Sequence, residues 1–193
     1  RRQRQMCIRD SHLTDLTDSR TQTLILCPTR ELCMQVTSDI KTYSKYVDNL
    51  GVVPIYGGAS MEVQIRAIKK RSQIVVGTPG RTKDLLKRKK LFIDRVERVI
   101  LDEADEMLSM GFKDDLDFIL SKISTDNQKL FFSATMPKKL SSIVKQYMNN
   151  PVTVAVDPVN TASTNVKHIV HMVQARDRYE VVKRIADINP TIY

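Results

Sequence analysis

The most informative residues of this chain are Val99-Ile100-Leu101-Asp102-Glu103-Ala104-Asp105. Three apolar residues are followed directly by two adjacent carboxylates, and a third carboxylate lies two positions further on. The pattern is typical of a buried strand that delivers acids to the edge of a sheet, where they can hold a magnesium ion beside a phosphate chain. Because acids after a strand also serve as helix caps, the rest of the chain decides between the two interpretations.

Short apolar runs alternate with helical patterns along the chain, which predicts an α/β fold with a parallel sheet and helices on both of its faces. From Leu32 to Leu50, apolar residues recur every three or four positions and predict one long helix that ends at Gly51. Shorter helices are predicted around residues 61–68, around residues 85–86, over residues 107–123 and from Pro137 onward. The predicted strands of the sheet are 23–27, 52–56, 73–76, 98–101, 129–132 and 152–156.

Changes in composition along the sequence predict four segments. Residues 1–19 form an irregular lead, and because residues 5–11 resemble translated sequencing adapter, we treat this lead as a candidate for non-native sequence. Residues 20–157 form the main α/β domain, and the turn-rich residues 158–165 form a linker. Residues 166–193 begin a second domain, with a predicted strand at 166–173 and a predicted helix at 176–188.

The apolar runs and the cysteine spacing limit the class of protein to which the chain can belong. The chain has 193 residues, and none of its apolar runs approaches the ~18 residues that a membrane-spanning helix needs. Cys7, Cys27 and Cys33 lack the spacing of metal ligands, and we interpret Cys27 and Cys33 as packing thiols. The chain is interpreted as part of a reducing, cytoplasmic protein without a membrane segment.

The net charge of +9 suits a polyanionic partner such as nucleic acid, and it equally suits a merely soluble basic surface. The densest basic runs are Lys69-Lys70-Arg71 and Lys87-Arg88-Lys89-Lys90. Each adjoins a predicted helix end, where cations complement the helix dipole, so we interpret both first as solvated faces.

Three segments that follow predicted strands have the composition of a phosphate-binding strip. Each combines hydroxyls, glycine, proline or arginine with the start of a helix, where free amide groups attract anions. Taken singly, each segment is also an ordinary turn or cap, whereas together they predict contact with a nucleic-acid backbone. The residues are Pro28, Thr29 and Arg30; Gly57 and Gly58; and Thr78, Pro79, Gly80 and Arg81.

The segments after two further predicted strands suit nucleotide hydrolysis. Asp102 could hold Mg²⁺, and Glu103 could orient or deprotonate the attacking water. Asp105 could hydrogen-bond the hydroxyls of Ser133 and Thr135, which would couple two strand ends. The alternative is that Ser133 and Thr135 only cap the helix that Pro137 begins.

With these motifs in this order, the chain resembles the DEAD-box RNA helicases. Pro28-Thr29-Arg30-Glu31-Leu32 is similar to the family's motif Ia, Gly57-Gly58 to its glycine pair, and Thr78-Pro79-Gly80-Arg81 to motif Ib. Asp102-Glu103-Ala104-Asp105 is the motif that names the family, and Ser133-Ala134-Thr135 resembles motif III. The resemblance covers residues 23–156 as a first RecA-like domain of the P-loop NTPase type, and residues 166–193 as the start of a second.

The resemblance implies an ATP-dependent RNA helicase that uses ATP and Mg²⁺ to unwind short duplexes and acts as a monomer. Asp102 and Glu103 would contact the nucleotide, with Asp102 as the Mg²⁺ ligand, and Asp105, Ser133 and Thr135 would complete the catalytic set. The three strand-end segments listed above would contact RNA. Because backbone contacts carry no base information, binding would be independent of sequence.

The chain departs from the family pattern in the motifs that bind the nucleotide. The chain contains no G-x-x-x-x-G-K-[ST] turn, and the family's adenine-reading glutamine segment is missing as well. We therefore expect the chain to be an internal piece of a longer gene, truncated at both ends, and to be inactive alone. Two alternatives stay open: a non-catalytic RecA-like module that binds RNA or protein, and a DNA-directed relative.

Overall fold

A computed structural model describes residues 13–155 and 169–188 of the chain. Its sheet has five parallel strands in the order β2-β3-β1-β4-β5, as the alternation of strand and helix patterns predicts. Each strand is four residues long, and the predicted bounds agree to within one residue. The strands are β1 (Thr23–Leu26), β2 (Val52–Ile55), β3 (Ile74–Gly77), β4 (Arg98–Leu101) and β5 (Gln128–Phe131).

Alternation along the strands builds a separate hydrophobic core on each face of the sheet. Leu24 and Leu26 of β1 point into one core, whereas Ile25 and the following Cys27 point into the other. Helix α1 (Arg30–Tyr43) covers the face with Ile25, and the other helices described between residues 13 and 155 cover the opposite face. Those helices are α2 (Met61–Lys70), α3 (Pro79–Lys87), α4 (Ala104–Ser109), α5 (Lys113–Leu120) and α6 (Lys138–Tyr147).

The prediction of one helix from Leu32 to Leu50 was wrong at its C-terminal end. Helix α1 ends at Tyr43, because the last helical bond is that of the Ser44 N–H to the carbonyl of Ile40, and the Val47 N–H then donates to the carbonyl of Ser44, only three residues back, at 2.8 Å. Asn49, with a φ of 65°, turns the chain further away from helical geometry although the apolar spacing continues. Gly51 therefore ends no helix. A Cβ at this position would lie 2.5 Å from the backbone oxygen of Arg71, so only glycine fits there.

Two predicted strands are also wrong where the structure describes them. Residues 152–155 and 169–173 form no strand, and Val152, Val154 and Val170 are largely exposed. Both segments have strand propensity, but neither pairs with a strand in the described residues, and a strand needs the hydrogen bonds of a neighbour. Residue 156 and residues 166–168 lie outside the described residues.

The chain divides into two compact units, Arg1–Val159 and Asn160–Tyr193. In the second unit a short 3₁₀ turn at Ala175–Asp177 leads into helix α7 (Arg178–Ile188), close to the predicted helix. The predicted linker at 158–165 and the first twelve residues of the predicted lead lie outside the described residues, so the domain assignment stays a prediction. Within the described ranges, no helix is both long enough and apolar enough to cross a bilayer.

Candidate active site and nucleic-acid interface

Five loops follow the carboxyl ends of the strands and start level with one another along one edge of the sheet. In the strand register, Leu26 lies beside both Gly77 and Leu101, while Ile55 pairs with Gly77 and Phe131 with Leu101. At ~4.8 Å between neighbouring strands, the five loops span roughly 19 Å. We call this edge the rim, and it comprises residues 28–30, 56–60, 78–81, 102–105 and 133–135.

The strand order divides the rim into two chemically different halves. The loops after β2, β3 and β1 are neighbours and contain glycines and two arginines but no acid; we call residues 28–30, 56–60 and 78–81 the basic half. The loops after β4 and β5 are neighbours and contain three acids and two hydroxyl residues but no cation; we call residues 102–105 and 133–135 the acidic half. The residues predicted to contact RNA lie in the basic half, and those predicted to act in catalysis lie in the acidic half. Pro28 and Pro79 are buried, so their side chains offer no surface to RNA.

Asp102 and Glu103 directly follow β4, and their side chains lie in different environments. Asp102 is 3% exposed, and its backbone N–H donates to the carbonyl of Leu26 at 2.9 Å, which extends the sheet by one residue. Glu103 is exposed and has left-handed backbone angles, with φ 53° and ψ 52°. This conformation costs a non-glycine residue ~1–2 kcal/mol, and such strain concentrates at functional sites.

The acidic half concentrates negative charge around Glu103. Partial burial, followed by the nearby carboxylates of Asp102, Asp105 and Glu106, raises the pKa of Glu103 above its ordinary value. A raised pKa brings a carboxylate closer to the strength of a useful general base. The same concentration of charge favours a bound cation.

Asp105 joins the ends of β4 and β5. Its Oδ2 accepts hydrogen bonds from the Thr135 hydroxyl at 2.7 Å and from the Thr135 backbone N–H at 2.9 Å. The Ser133 hydroxyl donates to the carbonyl of Thr135 at 2.6 Å. Helix α6 has no side-chain cap, so neither Ser133 nor Thr135 serves as one. Thr135 forms the predicted link between the two strand ends, whereas the hydroxyl of Ser133 bonds within its own loop.

The pKa of Asp105 reflects this link. Burial alone would raise the pKa, but the hydrogen bonds from the hydroxyl and the backbone N–H of Thr135 outweigh burial and hold the pKa below the ordinary aspartate value. The ionised form of Asp105 is therefore the form that the fold stabilises.

Replacing Thr135 by valine is expected to lower the free energy of unfolding by ~1 kcal/mol at pH 7, because one hydrogen bond to an ionised carboxylate is lost. A group whose pKa is lowered in the folded protein contributes stability above its unfolded pKa and loses it as the pH falls through the folded pKa. The difference in Tm between wild type and Thr135→Val should therefore shrink as the pH is lowered through the ordinary aspartate range near about 3.9. Thermal unfolding followed by circular dichroism measures it.

Thr125→Val is the control for this prediction, because Thr125 is an exposed loop residue whose hydroxyl bonds no described carboxylate. The control should show no pH-dependent difference from wild type. A Thr135→Val difference that stays constant at every pH would contradict a role for the Asp105 link.

Arg30 connects two loops of the basic half. Thr29 caps α1 by accepting the Leu32 backbone N–H at 3.2 Å, which leaves Arg30 as the exposed first residue of the helix. The guanidinium of Arg30 lies 5.1 Å from the ring centroid of Tyr56, within the range of a cation–π contact. Next to Tyr56, Gly57 and Gly58 are exposed, and Gly58 needs its φ of 77°.

Arg81 holds the glycine loop in place from α3. Both of its terminal nitrogens donate to the carbonyl of Ala59 at 3.3 Å, and its side chain is half-buried. Sequence reasoning assigned Arg81 to phosphate, and its remaining guanidinium N–H groups can still serve that purpose. Thr78 makes no side-chain cap, Pro79 occupies the first turn of α3, and Gly80 is exposed.

Gln64 is a residue of the site that sequence reasoning missed. Its buried side-chain amide donates to the carbonyl of Tyr56 at 3.0 Å and accepts the Tyr56 backbone N–H at 3.3 Å. These two bonds fix the backbone just before the glycine pair. A signal was present in the sequence, because Gln64 interrupts the apolar face of α2 that Met61, Ile65 and Ile68 define.

The acidic half has a carboxylate that could hold Mg²⁺ if a bound phosphate supplied further ligands. In the described part of the chain, no three His, Cys, Asp or Glu side chains come together as a self-sufficient metal site. Mg²⁺ in nucleotide sites is commonly held by one or two carboxylates, with water and phosphate oxygens as the other ligands. Asp102 alone could supply that carboxylate.

Comparison with known proteins identifies the family. The model of the DEAD/DEAH box helicase family matches residues 7–143. The chain belongs to the DEAD/DEAH box helicase family. All rim residues fall inside the matched range, whose start lies within the predicted lead.

Curated helicases resemble the chain over most of its length. The ATP-dependent RNA helicase CshA of Listeria monocytogenes is 38% identical over 177 residues, which are 92% of this chain and 34% of that protein. The ATP-dependent RNA helicase DeaD of Buchnera aphidicola subsp. Schizaphis graminum is 42% identical over 173 residues, or 89% of this chain and 29% of that protein. The chain thus spans about a third of the length of the curated helicases it matches.

Solved DEAD-box structures have the same fold. A DEAD box protein from Methanococcus jannaschii superimposes with a TM-score of 0.76 at 36% identity, over 96% of this chain and 49% of that one. A hypothetical ATP-dependent RNA helicase from Sulfolobus tokodaii gives 0.70 at 35% identity, over 77% and 43%. The predicted RecA-like parallel sheet with helices on both faces is therefore confirmed.

Proposed function

We propose that this chain is the part of an ATP-dependent RNA helicase that contacts RNA with the basic half of its rim and the ATP phosphates with the acidic half. The observation that supports this function best is the separation of the two halves along one edge, joined where β1 meets β4. A polyanionic strand and a metal-bound triphosphate can then bind side by side without sharing ligands.

In the acidic half, each carboxylate has a different task. Asp102 would hold Mg²⁺, which when bound neutralises phosphate charge and polarises the bond that breaks. Glu103, with its raised pKa, would take the proton of the attacking water. Asp105, through its hydrogen bond with Thr135, would couple the presence or loss of the ATP phosphates to the position of the loop after β5.

In the basic half, the proposed ligand is the sugar–phosphate backbone. Arg30 can pair with phosphate oxygens, and the exposed Gly57 and Gly58 let a backbone approach closely. Such contacts read no bases, which predicts sequence-independent binding. The proposal includes a monomeric, cytoplasmic protein. A reducing compartment is in keeping with the buried thiols of Cys27 and Cys33, which form no disulfide.

A chimera tests the proposed function. Residues 23–147 of this chain replace the matching segment of the Listeria monocytogenes helicase, which supplies the rest of a full-length protein. We expect the chimera to hydrolyse ATP faster with RNA than without it. The 193-residue chain alone should not hydrolyse ATP, because it has no Gly-Lys-[Ser/Thr] turn to hold the phosphates.

The outcomes of this test separate the candidate functions. A folded chimera that binds RNA but does not hydrolyse ATP would favour the non-catalytic module. Stronger stimulation by DNA than by an RNA strand of the same sequence would favour a DNA-directed enzyme. RNA-stimulated turnover by the chain alone, abolished in its Glu103→Gln variant, would contradict the expected inactivity.

Replacing Gly57 by alanine is expected to weaken RNA binding by the chimera about tenfold without changing its Tm. A Cβ at Gly57 would meet no protein atom within 4 Å, and φ at this position is not positive, so alanine fits the fold. Only a ligand backbone lying against Gly57 would collide with the new methyl group. Fluorescence anisotropy with labelled RNA measures the affinity.

Gly58→Ala is the matched comparison, because its φ of 77° strains any other residue. It should lower both the Tm and the affinity, whereas Gly57→Ala should lower the affinity alone. Unchanged RNA affinity in Gly57→Ala would show that the glycine pair only forms a turn.

A further inference from the structure

The two basic runs of the sequence converge at the edge of the sheet opposite the rim. Lys69 lies in the last turn of α2, and Lys89 and Lys90 follow the end of α3. Together with Arg20, just before β1, they line one surface cavity of about 240 Å³, which we call the basic cavity. Its other lining residues are Ser19, Thr21, Ile68, Ser72 and Phe92.

Most of the positive charge that lines the basic cavity is not neutralised by ion pairs with carboxylates. No carboxylate is among its lining residues. Arg20 pairs with Asp18 at 2.7 Å and with Asp94 at 3.8 Å, so it adds little net charge. Lys69, Lys89 and Lys90 are exposed, and none of them forms an ion pair with a described residue. Three ammonium groups around one depression create a positive potential that attracts an extended anion.

The helix dipole accounts for only part of this arrangement. Lys69 and Lys87 already lie in the last turns of α2 and α3, where cations complement the dipole. Lys89 and Lys90 lie beyond α3, in the turn that ends the helix: the Lys89 N–H donates to the carbonyl of Leu86 at 3.0 Å and the Lys90 N–H to that of Leu85 at 2.9 Å, with Lys89 in the left-handed conformation (φ 52°) that such a turn requires. This turn fixes the backbone of both lysines beside the cavity.

The remaining lining residues include a hydrogen-bonded polar group at the base of the cavity and one exposed aromatic ring. The hydroxyls of Thr21 and Ser72 are buried and lie 3.3 Å apart, and the Ser72 backbone N–H donates to the carbonyl of Ser19 at 3.2 Å. Phe92 is 63% exposed, which is unusual for a large apolar side chain. An exposed ring beside lysines is the combination that binds single-stranded nucleic acid, because a base stacks on the ring while cations contact the phosphates.

We propose that the basic cavity is a second nucleic-acid-binding surface, which holds the phosphates of single-stranded RNA on Lys69, Lys89 and Lys90 and stacks one base on Phe92. Four-residue strands, roughly 13 Å long, separate the cavity from the rim, so the two sites do not share ligands. The inference therefore does not depend on the function proposed for the rim. A single exposed ring also suits one stacked base better than insertion into a lipid surface.

The test compares two triple variants of the 193-residue chain. Lys69→Glu/Lys89→Glu/Lys90→Glu removes the cavity's cations, and Lys41→Glu/Lys45→Glu/Lys145→Glu makes the same charge change at exposed positions elsewhere. Binding of a fluorescein-labelled ten-nucleotide oligouridine is followed by anisotropy at several salt concentrations. The cavity variant should lose about tenfold in affinity, and its log–log salt slope should fall by about 2, as the loss of three phosphate contacts requires. The control should change much less.

Phe92 provides an independent measurement. Phe92→Ala should weaken binding of the oligouridine at least fivefold, whereas Phe92→Tyr should preserve it, because tyrosine keeps the stacking surface. Equal losses in the two triple variants, or unchanged binding in Phe92→Ala, would overturn the proposal. Preferential loss of binding to vesicles of acidic phospholipid, with RNA binding intact, would overturn it in favour of a membrane surface.

Two further variants keep the result interpretable. Arg30→Ala/Arg81→Ala removes the proposed contacts of the rim, so in this background the oligouridine reports on the basic cavity alone, and the cavity substitutions should still cost about tenfold in affinity. If the rim variant has no effect and the cavity variant does, the proposed function of the rim fails while this inference stands. If circular dichroism shows that the glutamate variant is unfolded, Lys69→Gln/Lys89→Gln/Lys90→Gln replaces it and should lose at least threefold.

Discussion

Glu103→Gln in the chimera is expected to lower the rate of RNA-stimulated ATP hydrolysis by about 10³-fold while leaving the affinities for ATP and RNA nearly unchanged. Glutamine has the size and shape of glutamate, but its amide cannot accept the proton of the attacking water. General-base catalysis contributes ~10²–10⁴-fold to enzymatic rates. The loss should appear in kcat, measured with a coupled assay at saturating ATP and RNA.

Unfolding should not account for this loss. The pKa of Glu103 is raised by partial burial and by Asp102, Asp105 and Glu106, so ionisation of Glu103 opposes folding above the ordinary glutamate range. Glu103→Gln removes that ionisation and should leave the Tm at pH 7 equal to, or slightly above, that of the parent. The difference should vanish at low pH, where Glu103 is protonated in both the folded and the unfolded state.

Glu106→Gln is the matched control, since it makes the same chemical change one turn along α4 on an exposed side chain. Its kcat should stay within about twofold of the parent, because surface substitutions outside a site act weakly. A Glu103→Gln chimera that retains more than a tenth of the parental kcat would contradict the general-base role.

The position of the rim is predictable from sequence because of a general property of parallel sheets. Their carboxyl ends meet at one edge, so any residues that follow the strands must come together there. The bounds of β4 were predicted without error, since four apolar or long side chains stop abruptly at Asp102. The separation of basic and acidic halves was not predictable, because the strand order depends on pairing between segments that are distant in sequence.

Individual contacts within the rim depend on geometry that a sequence does not display. The periodic apolar residues from Leu32 to Leu50 indicate a longer helix, and only the turn in which the Val47 N–H bonds the carbonyl of Ser44 shows that it ends early. The bonds from Arg81 to Ala59 and between Gln64 and Tyr56 likewise join separate elements. Hydrogen bonds across elements become visible only once the packing of the elements is known.

Gly77→Ala is expected to lower the free energy of unfolding by about 2–3 kcal/mol, the upper part of the range for overpacked cores. Gly77 is the last residue of β3, where a Cβ would lie 2.5 Å from the Thr82 hydroxyl and 2.7 Å from the Ile55 side chain. Neither neighbour can yield easily, because Thr82 donates to the carbonyl of Thr78 at 2.9 Å and Ile55 is fully buried. Urea unfolding of the chimera, followed by circular dichroism, measures the change.

The position of the clash also predicts a functional consequence and a partial rescue. Displacing Thr82 moves the start of α3, and with it Arg81, so RNA affinity should fall together with stability. In Gly77→Ala/Thr82→Ala the hydroxyl contact disappears while the Ile55 contact remains, so the two changes should be non-additive by about 1 kcal/mol. Gly57→Ala, the same substitution in open space, should leave the midpoint unchanged. Strict additivity in the double variant would contradict tight packing between β3 and α3 as the reason for glycine at this position.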